Sequence, residues 1–183
     1  IRCHKVAGHG AETFRDGIMN SCNPVFMQVG ERIGVDGFYK GLKALGLFEQ
    51  TGVDLPGEAD SIFHKQENVG PVELATMSFG QSFQITPLQL MRAASAVVNG
   101  GNLVTPHFGV YTTDENNNVT EVLKYEMKTG AVSEATSETM KELLEAVVAE
   151  GTGHRAYIAG YSIGGKTATS EKFPRSEKRY ISS

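Results

Sequence analysis

No run of this 183-residue sequence approaches the roughly 20 apolar residues that a membrane-crossing helix requires, and no secretory leader opens it. Cysteine is scarce. Cys3 and Cys22 cannot make a disulfide framework, which leaves two free thiols, one disulfide or a shared metal as readings. Neither sign of charge dominates, and a net charge of −4 gives no reason to expect a nucleic-acid partner or an anionic membrane surface. Internal repeats and low-complexity linkers are absent too. What is present suits a packed core: 40% hydrophobic and 21% charged residues, in a length that fits one domain or the larger part of a bigger one. The chain starts mid-pattern at Ile1-Arg2-Cys3 and stops at Arg179–Ser183 as a strand would begin, so further residues are expected at both ends.

Helical signals dominate the first half. Asn23-Pro24 reads as an N-cap and first-turn proline, followed by Phe26, Val29 and Ile33 on one face. Val35 to Leu45 reads as a second short helix, and Thr51 to Asp60 as a loop. Thr86-Pro87-Leu88-Gln89 is a capping box that opens a helix running to about Val98 and stopping at Asn99-Gly100-Gly101. From Leu103 to Met127 the sequence turns β-branched and aromatic, with Asp114–Asn118 as a hairpin-like turn. Ser133 caps a helix on which Met140, Leu143, Leu144, Val147 and Val148 keep helical rhythm to Gly151-Thr152-Gly153. Tyr161 to Thr169 reads as a buried strand with Lys178 to Ser182 as its hairpin partner. The expected fold class is α+β, helices beside a small antiparallel sheet.

Two short strings carry the chemistry. Ser21-Cys22-Asn23 is an S-x-N before a proline, and Gly164-Gly165-Lys166-Thr167-Ala168-Thr169 is a small-residue run around Lys-Thr. Serine enzymes that acylate on peptides or β-lactams set a hydroxyl and an amide on a loop against a lysine on a strand. Each string has an ordinary reading, a helix cap for the first and an edge-strand lysine for the second. Lys128-Thr129-Gly130 spells K-T-G literally, but charged residues precede it and a helix entry follows, so it reads as a turn. No serine of the chain is followed three positions later by lysine.

Longer segments in order shift the balance. Gly8-His9-Gly10, Ser21-Cys22-Asn23-Pro24, Thr51-Gly52-Val53-Asp54-Leu55, Gly57-Glu58, Ser78-Phe79-Gly80-Gln81 and Ile85-Thr86-Pro87-Leu88-Gln89 lead the series. Asn99-Gly100-Gly101, Ala149-Glu150-Gly151-Thr152-Gly153 and Gly164-Gly165-Lys166-Thr167 complete it. With these motifs the chain resembles, nearly end to end, the transpeptidase domain of class B penicillin-binding proteins, most of all the sporulation-type members.

The resemblance implies a penicillin-binding, serine β-lactamase-like α+β fold over residues 1–183, incomplete at both ends. It implies a peptidoglycan D,D-transpeptidase that cross-links stem peptides through a serine acyl-enzyme and is acylated by β-lactams. Ser21 would relay protons to the leaving amine, Asn23 would bind the substrate backbone, and Lys166 would polarise Ser21 and attract a carboxylate. The hydroxyls of Thr167 and Thr169 would bind that carboxylate, and the Thr169 N–H would form half of an oxyanion hole. The family's S-x-x-K nucleophile would lie upstream of Ile1, so the 183 residues alone are expected to form no adduct with penicillin. Ala168 stands where the family usually has glycine, and its methyl is expected to narrow the groove. The resemblance further implies work on the extracytoplasmic face of the bacterial membrane, an N-terminal anchor outside this chain, and a membrane glycosyltransferase partner. The alternatives are a β-lactamase or β-lactam sensor domain and a non-catalytic structural fragment.

No cofactor is needed for that chemistry. Cys3, His4, His9, Asp16 and Cys22 nevertheless crowd the first 22 residues, and thiolates, an imidazole and a carboxylate suit tetrahedral Zn²⁺. The expected ligands are Cys3, His9, Asp16 and Cys22, with His4 as substitute, in a structural role. Two ordinary thiols and a loop histidine are the alternative.

Overall fold

The computed structural model describes residues 3–171 and 180–182. They divide into two compact units. The first comprises Ile1–Tyr39, His64–Phe83 and Thr139–Ser183, and the second comprises Lys40–Phe63 and Gln84–Glu138.

In the first unit, α1 (Phe14–Met19) starts at a reciprocal cap: Thr13 accepts from the Asp16 N–H while the Asp16 carboxylate accepts from the Thr13 N–H. α2 (Asn23–Ala44) has Pro24 in its first turn as expected, but that turn closes on the Cys22 carbonyl, so Cys22 rather than Asn23 stands at the cap because Asn23 is already helical; the element runs on into the second unit. The expected second helix from Val35 is present: Gly34, at φ 72° and ψ 170°, leaves helical geometry, so two helices meet there at a kink with no loop between them. α3 (Pro71–Ser78), unforeseen from sequence, opens with Pro71 in its first turn and the Glu73 carboxylate accepting from the Gly70 N–H. α2 crosses α3 at Gly30, where any Cβ would overlap Ser78. Ile18, Cys22, Leu74, Met77, Ala146, Val147 and Val148 form this unit's buried core.

In the second unit, α4 (Pro87–Val98) carries the expected capping box, with Thr86 accepting from the Gln89 N–H and Gln89 from the Thr86 N–H. The Gln89 amide also donates to the Glu49 carbonyl at 2.9 Å, so this fully buried polar side chain is satisfied at both ends. Strands β1 (Leu103–Val104) and β4 (Met127–Lys128) pair antiparallel, as do β2 (Tyr111–Thr113) and β3 (Val119–Val122). The Asp114–Asn118 turn forms as expected: the Asp114 carboxylate accepts from the Asn116 and Asn118 N–H groups, and Asn117 sits at φ 63°. Lys128 ends β4 rather than lying in a turn, and its ammonium donates to Glu49 at 2.8 Å. α5 (Glu134–Ala149), capped by Ser133, starts in this unit and ends in the first.

The expected buried strand from Tyr161 fails. Tyr161–Ala168 is neither buried nor laddered; the strand β5 starts only at Thr169 (Thr169–Glu171), and it pairs antiparallel with β6 (Tyr180–Ser182). The reason is visible at the glycines. Gly164 and Gly165 lie on α5, the Gly165 N–H donates to the Leu144 carbonyl, and a Cβ at 164 would stand 3.2 Å from the Leu144 Cβ. The segment's partner is therefore a helix, not a neighbouring strand. Lys178 lies outside the described residues. The fold class holds as α+β, with three two-stranded antiparallel sheets among the described residues in place of one small sheet. No helix among them is long and apolar enough to cross a membrane.

Candidate active-site walls and a metal-ligand cluster

Ser21 owes its position to the end of α1. The Cys22 N–H donates to the Gly17 carbonyl and the Ser21 N–H to the Ile18 carbonyl, a Schellman closure that puts Ser21 in the left-handed region at φ 51°. The turn presents the Ser21 hydroxyl while burying Cys22, and Asn23 follows, half-buried, at the head of α2.

The opposite wall is the segment laid along α5. Lys166 Nζ donates to Ser21 Oγ at 2.6 Å and to the Thr167 carbonyl at 2.9 Å. The lysine side chain is exposed overall, but its ammonium is turned onto Ser21 and lies 6.0 Å from the centre of the Phe26 ring. The water lost there pushes its pKa below the usual lysine value. Thr167 and Thr169 are exposed beside it, with Ala168 exposed between them. The structure thus brings Ser21 and Lys166 into direct contact.

Two residues beyond the sequence reading hold these walls. Gln81 donates through its amide to the Thr169 carbonyl at 3.1 Å. Thr152 meets the Thr167 hydroxyl at 3.0 Å and donates its N–H to the Met19 carbonyl, also at 3.0 Å. Both belong to motifs quoted above, but their contacts span sequence distances that no local pattern encodes.

The thiols and imidazoles converge below the Ser21 turn. Cys3 Sγ lies 3.5 Å from Nδ1 of both His4 and His9, and His9 Nδ1 lies 3.8 Å from Glu12 Oε2. Cys3, His4 and His9 form one compact donor group, and His9, Glu12 and Cys22 form a second. Tetrahedral zinc with bonds of about 2.0–2.3 Å sets its donors roughly 3.5 Å apart, so the Cys3–His9 spacing fits. Asp16 does not join either group. Its carboxylate is engaged by the Thr13 hydroxyl at 2.6 Å and the Thr13 N–H at 3.0 Å, because it caps α1. Glu12 stands in its place, oriented by the Asn20 amide at 2.6 Å. Burial, reinforced by a hydrogen bond to Glu12, pushes the Cys22 thiol up to about 12.

An α+β fold that sets Ser-x-Asn after one short helix and Lys-Thr against another matches the class expected above, the penicillin-recognising fold. The comparisons agree. A family model for the penicillin binding protein transpeptidase domain matches residues 1–183. Stage V sporulation protein D of Bacillus subtilis (strain 168) is 44% identical over 173 residues, covering 94% of this chain and 27% of that protein. A penicillin-binding protein PbpB of Mycobacterium tuberculosis is 30% identical over 159 residues, covering 83% of this chain and 23% of its own length. Among solved structures, the D,D-transpeptidase domain of a peptidoglycan glycosyltransferase from Eggerthella lenta superposes with TM-score 0.86 at 25% identity, over 95% of this chain and 45% of that one. Penicillin-binding protein 3 of M. tuberculosis in complex with aztreonam superposes with TM-score 0.83 at 28% identity, over 92% of this chain and 39% of that one. The chain belongs to the penicillin-binding protein transpeptidase family. It spans about a quarter of the length of these curated relatives.

Proposed function

We propose that these residues form two walls of the cleft of a serine-type peptidoglycan D,D-transpeptidase working on the outer face of the bacterial membrane. The observation that carries this reading is the 2.6 Å bond from Lys166 Nζ to Ser21 Oγ. A nucleophilic serine in S-x-x-K, a motif that these 183 residues lack, attacks the stem-peptide carbonyl and forms an ester. Charge developing on the carbonyl oxygen is held by the Thr169 N–H, whose strand is anchored at its own carbonyl by Gln81. The nucleophile gives up its proton to the S-x-x-K lysine, and Ser21 relays it onward, taking one proton as it hands another to the leaving amine; the adjacent ammonium of Lys166 stabilises the oxygen during the exchange. Asn23 binds the peptide backbone, Thr167 and Thr169 bind the terminal carboxylate, and the Ala168 methyl narrows the groove. A second peptide amine, taking the ester carbonyl, completes the cross-link, whereas a β-lactam stalls the sequence at the ester. An N-terminal anchor and a membrane glycosyltransferase as partner belong to the same reading.

Fluorescent penicillin tests it. The full-length protein is expected to carry a covalent label and the 183-residue chain none. Labelling of the short chain would move the nucleophile into these residues. An unlabelled full-length protein would favour the structural alternative, and rapid release of hydrolysed penicillin the β-lactamase one.

The chemistry requires no cofactor. Structural Zn²⁺ held by Cys3, His9, Glu12 and Cys22, with His4 beside them, would pin the approach to Ser21; the donor spacing within each of the two groups that meet at His9 supports it. Protein purified without added metal is expected to contain stoichiometric zinc. Metal-free protein with both thiols freely titratable would overturn this.

A further inference from the structure

The loop after α5 touches both walls of the candidate cleft. Gly151 approaches α1 so closely that a Cβ there would stand 2.7 Å from the Met19 carbonyl oxygen. The approach lets the Thr152 N–H donate to that same carbonyl, two residues before Ser21. The Thr152 hydroxyl turns the other way, onto Thr167 Oγ1 at 3.0 Å.

A threonine hydroxyl has one proton to give and two lone pairs to receive with. A carboxylate accepts only, so Thr167 can bind one by its hydroxyl only while its own proton is free. Of the two senses in which the Thr152–Thr167 bond can run, one spends the Thr167 proton on Thr152 and the other preserves it. Resting on the transpeptidase reading, we propose that Thr152 is a positioning residue: it donates its hydroxyl proton to Thr167 Oγ1 and so directs the Thr167 proton to the carboxylate of the substrate or β-lactam. An anion arriving at Thr167 selects this sense, because the opposite one would set two acceptors against each other. A hydroxyl that is itself receiving a hydrogen bond is also the stronger donor. Thr152 thereby contributes to recognition of carboxylate-bearing ligands without touching them.

The test uses the full-length protein and compares second-order acylation by a penicillin with acylation by the methyl ester of the same penicillin. Thr152→Val keeps the branched shape and the N–H to Met19 but removes the hydroxyl. It is expected to slow the free acid about five- to tenfold, the worth of one hydrogen bond, while leaving the ester nearly unchanged. Thr152→Ser is expected to restore the acid-to-ester preference. Equal slowing of both ligands, an unchanged ratio, or failure of Thr152→Ser to restore it would overturn the proposal. Thr152→Ala is read in the same way, and global unfolding of both hydroxyl-free variants would overturn it in favour of a purely structural role. If the unmodified protein is acylated by neither ligand, the transpeptidase reading itself falls, an outcome distinct from a preserved ratio in an active enzyme.

Discussion

Ser21 occupies the position that other helices of this chain give to glycine. α2, α3 and α4 each end with the N–H two residues past the cap donating five positions back, and the left-handed residue between is Gly46, Gly80 or Gly100. α1 ends the same way, with Ser21 at φ 51°. A Cβ in that region costs roughly 1 kcal/mol, and the cost is tolerated because the turn aims the hydroxyl at Lys166. Ser21→Gly and Ser21→Ala both lose the lysine bond, but only glycine relieves the backbone. Urea unfolding is expected to find the glycine variant more stable than the alanine variant by about 1 kcal/mol, with acylation impaired in both. Equal stabilities would mean that the turn is not strained. Nothing in Ser-Cys-Asn announces this conformation; it follows from where α1 stops, and the sequence reading centred on Asn23 as a cap.

Some elements were legible from local signals: the Thr86–Gln89 capping box, Pro24 and Pro87 in first turns and the Asp114–Asn118 turn are decided within a few residues and appear as expected. α3 went unforeseen although Pro71 and Glu73 mark its start, because eight residues give little room for periodicity to show. The segment from Tyr161 to Ala168 misled in the opposite direction. Its composition suits a strand, but the glycine pair lets the backbone settle on α5, and a ladder starts only where β6 supplies a partner. Strand identity is a property of two segments, and one sequence window contains only one of them. The cluster of candidate metal donors shows the same contrast: Cys3, His9 and Cys22 were visible as donors, whereas the choice between Asp16 and Glu12 depended on which carboxylate the helix cap had already taken.

At the scale of the molecule, the second unit is held by carboxylates whose ionised form the fold favours. Asp54 is kept below the usual aspartate range by the Gly109 and Phe108 N–H groups, assisted by the Tyr125 hydroxyl. Lys128 does the same for Glu49, and for Glu58 the bonds from Thr51 and Gly52 outweigh the opposing effect of burial. Each folded pKa lies below its unfolded value, so the stability these groups contribute is complete above the unfolded value, near pH 4, and is lost as pH falls through the folded one. Thermal unfolding of the full-length protein is expected to show a falling midpoint from about pH 5 to about pH 3. Asp54→Asn should start lower at pH 7 and converge on the parent in acid; parallel curves would remove Asp54 from this account. The motif order from Gly8 to Thr167, the Thr86 and Ser133 helix caps and the family were already readable in the linear chain, since each rests on adjacent residues whose chemistry is local. Folding alone joined Lys166 to Ser21 across 145 positions, laid Thr152 between the walls and set Glu12 in place of Asp16. Those pairings depend on how helices pack and on which polar groups are already satisfied, quantities that exist only once the chain is compact.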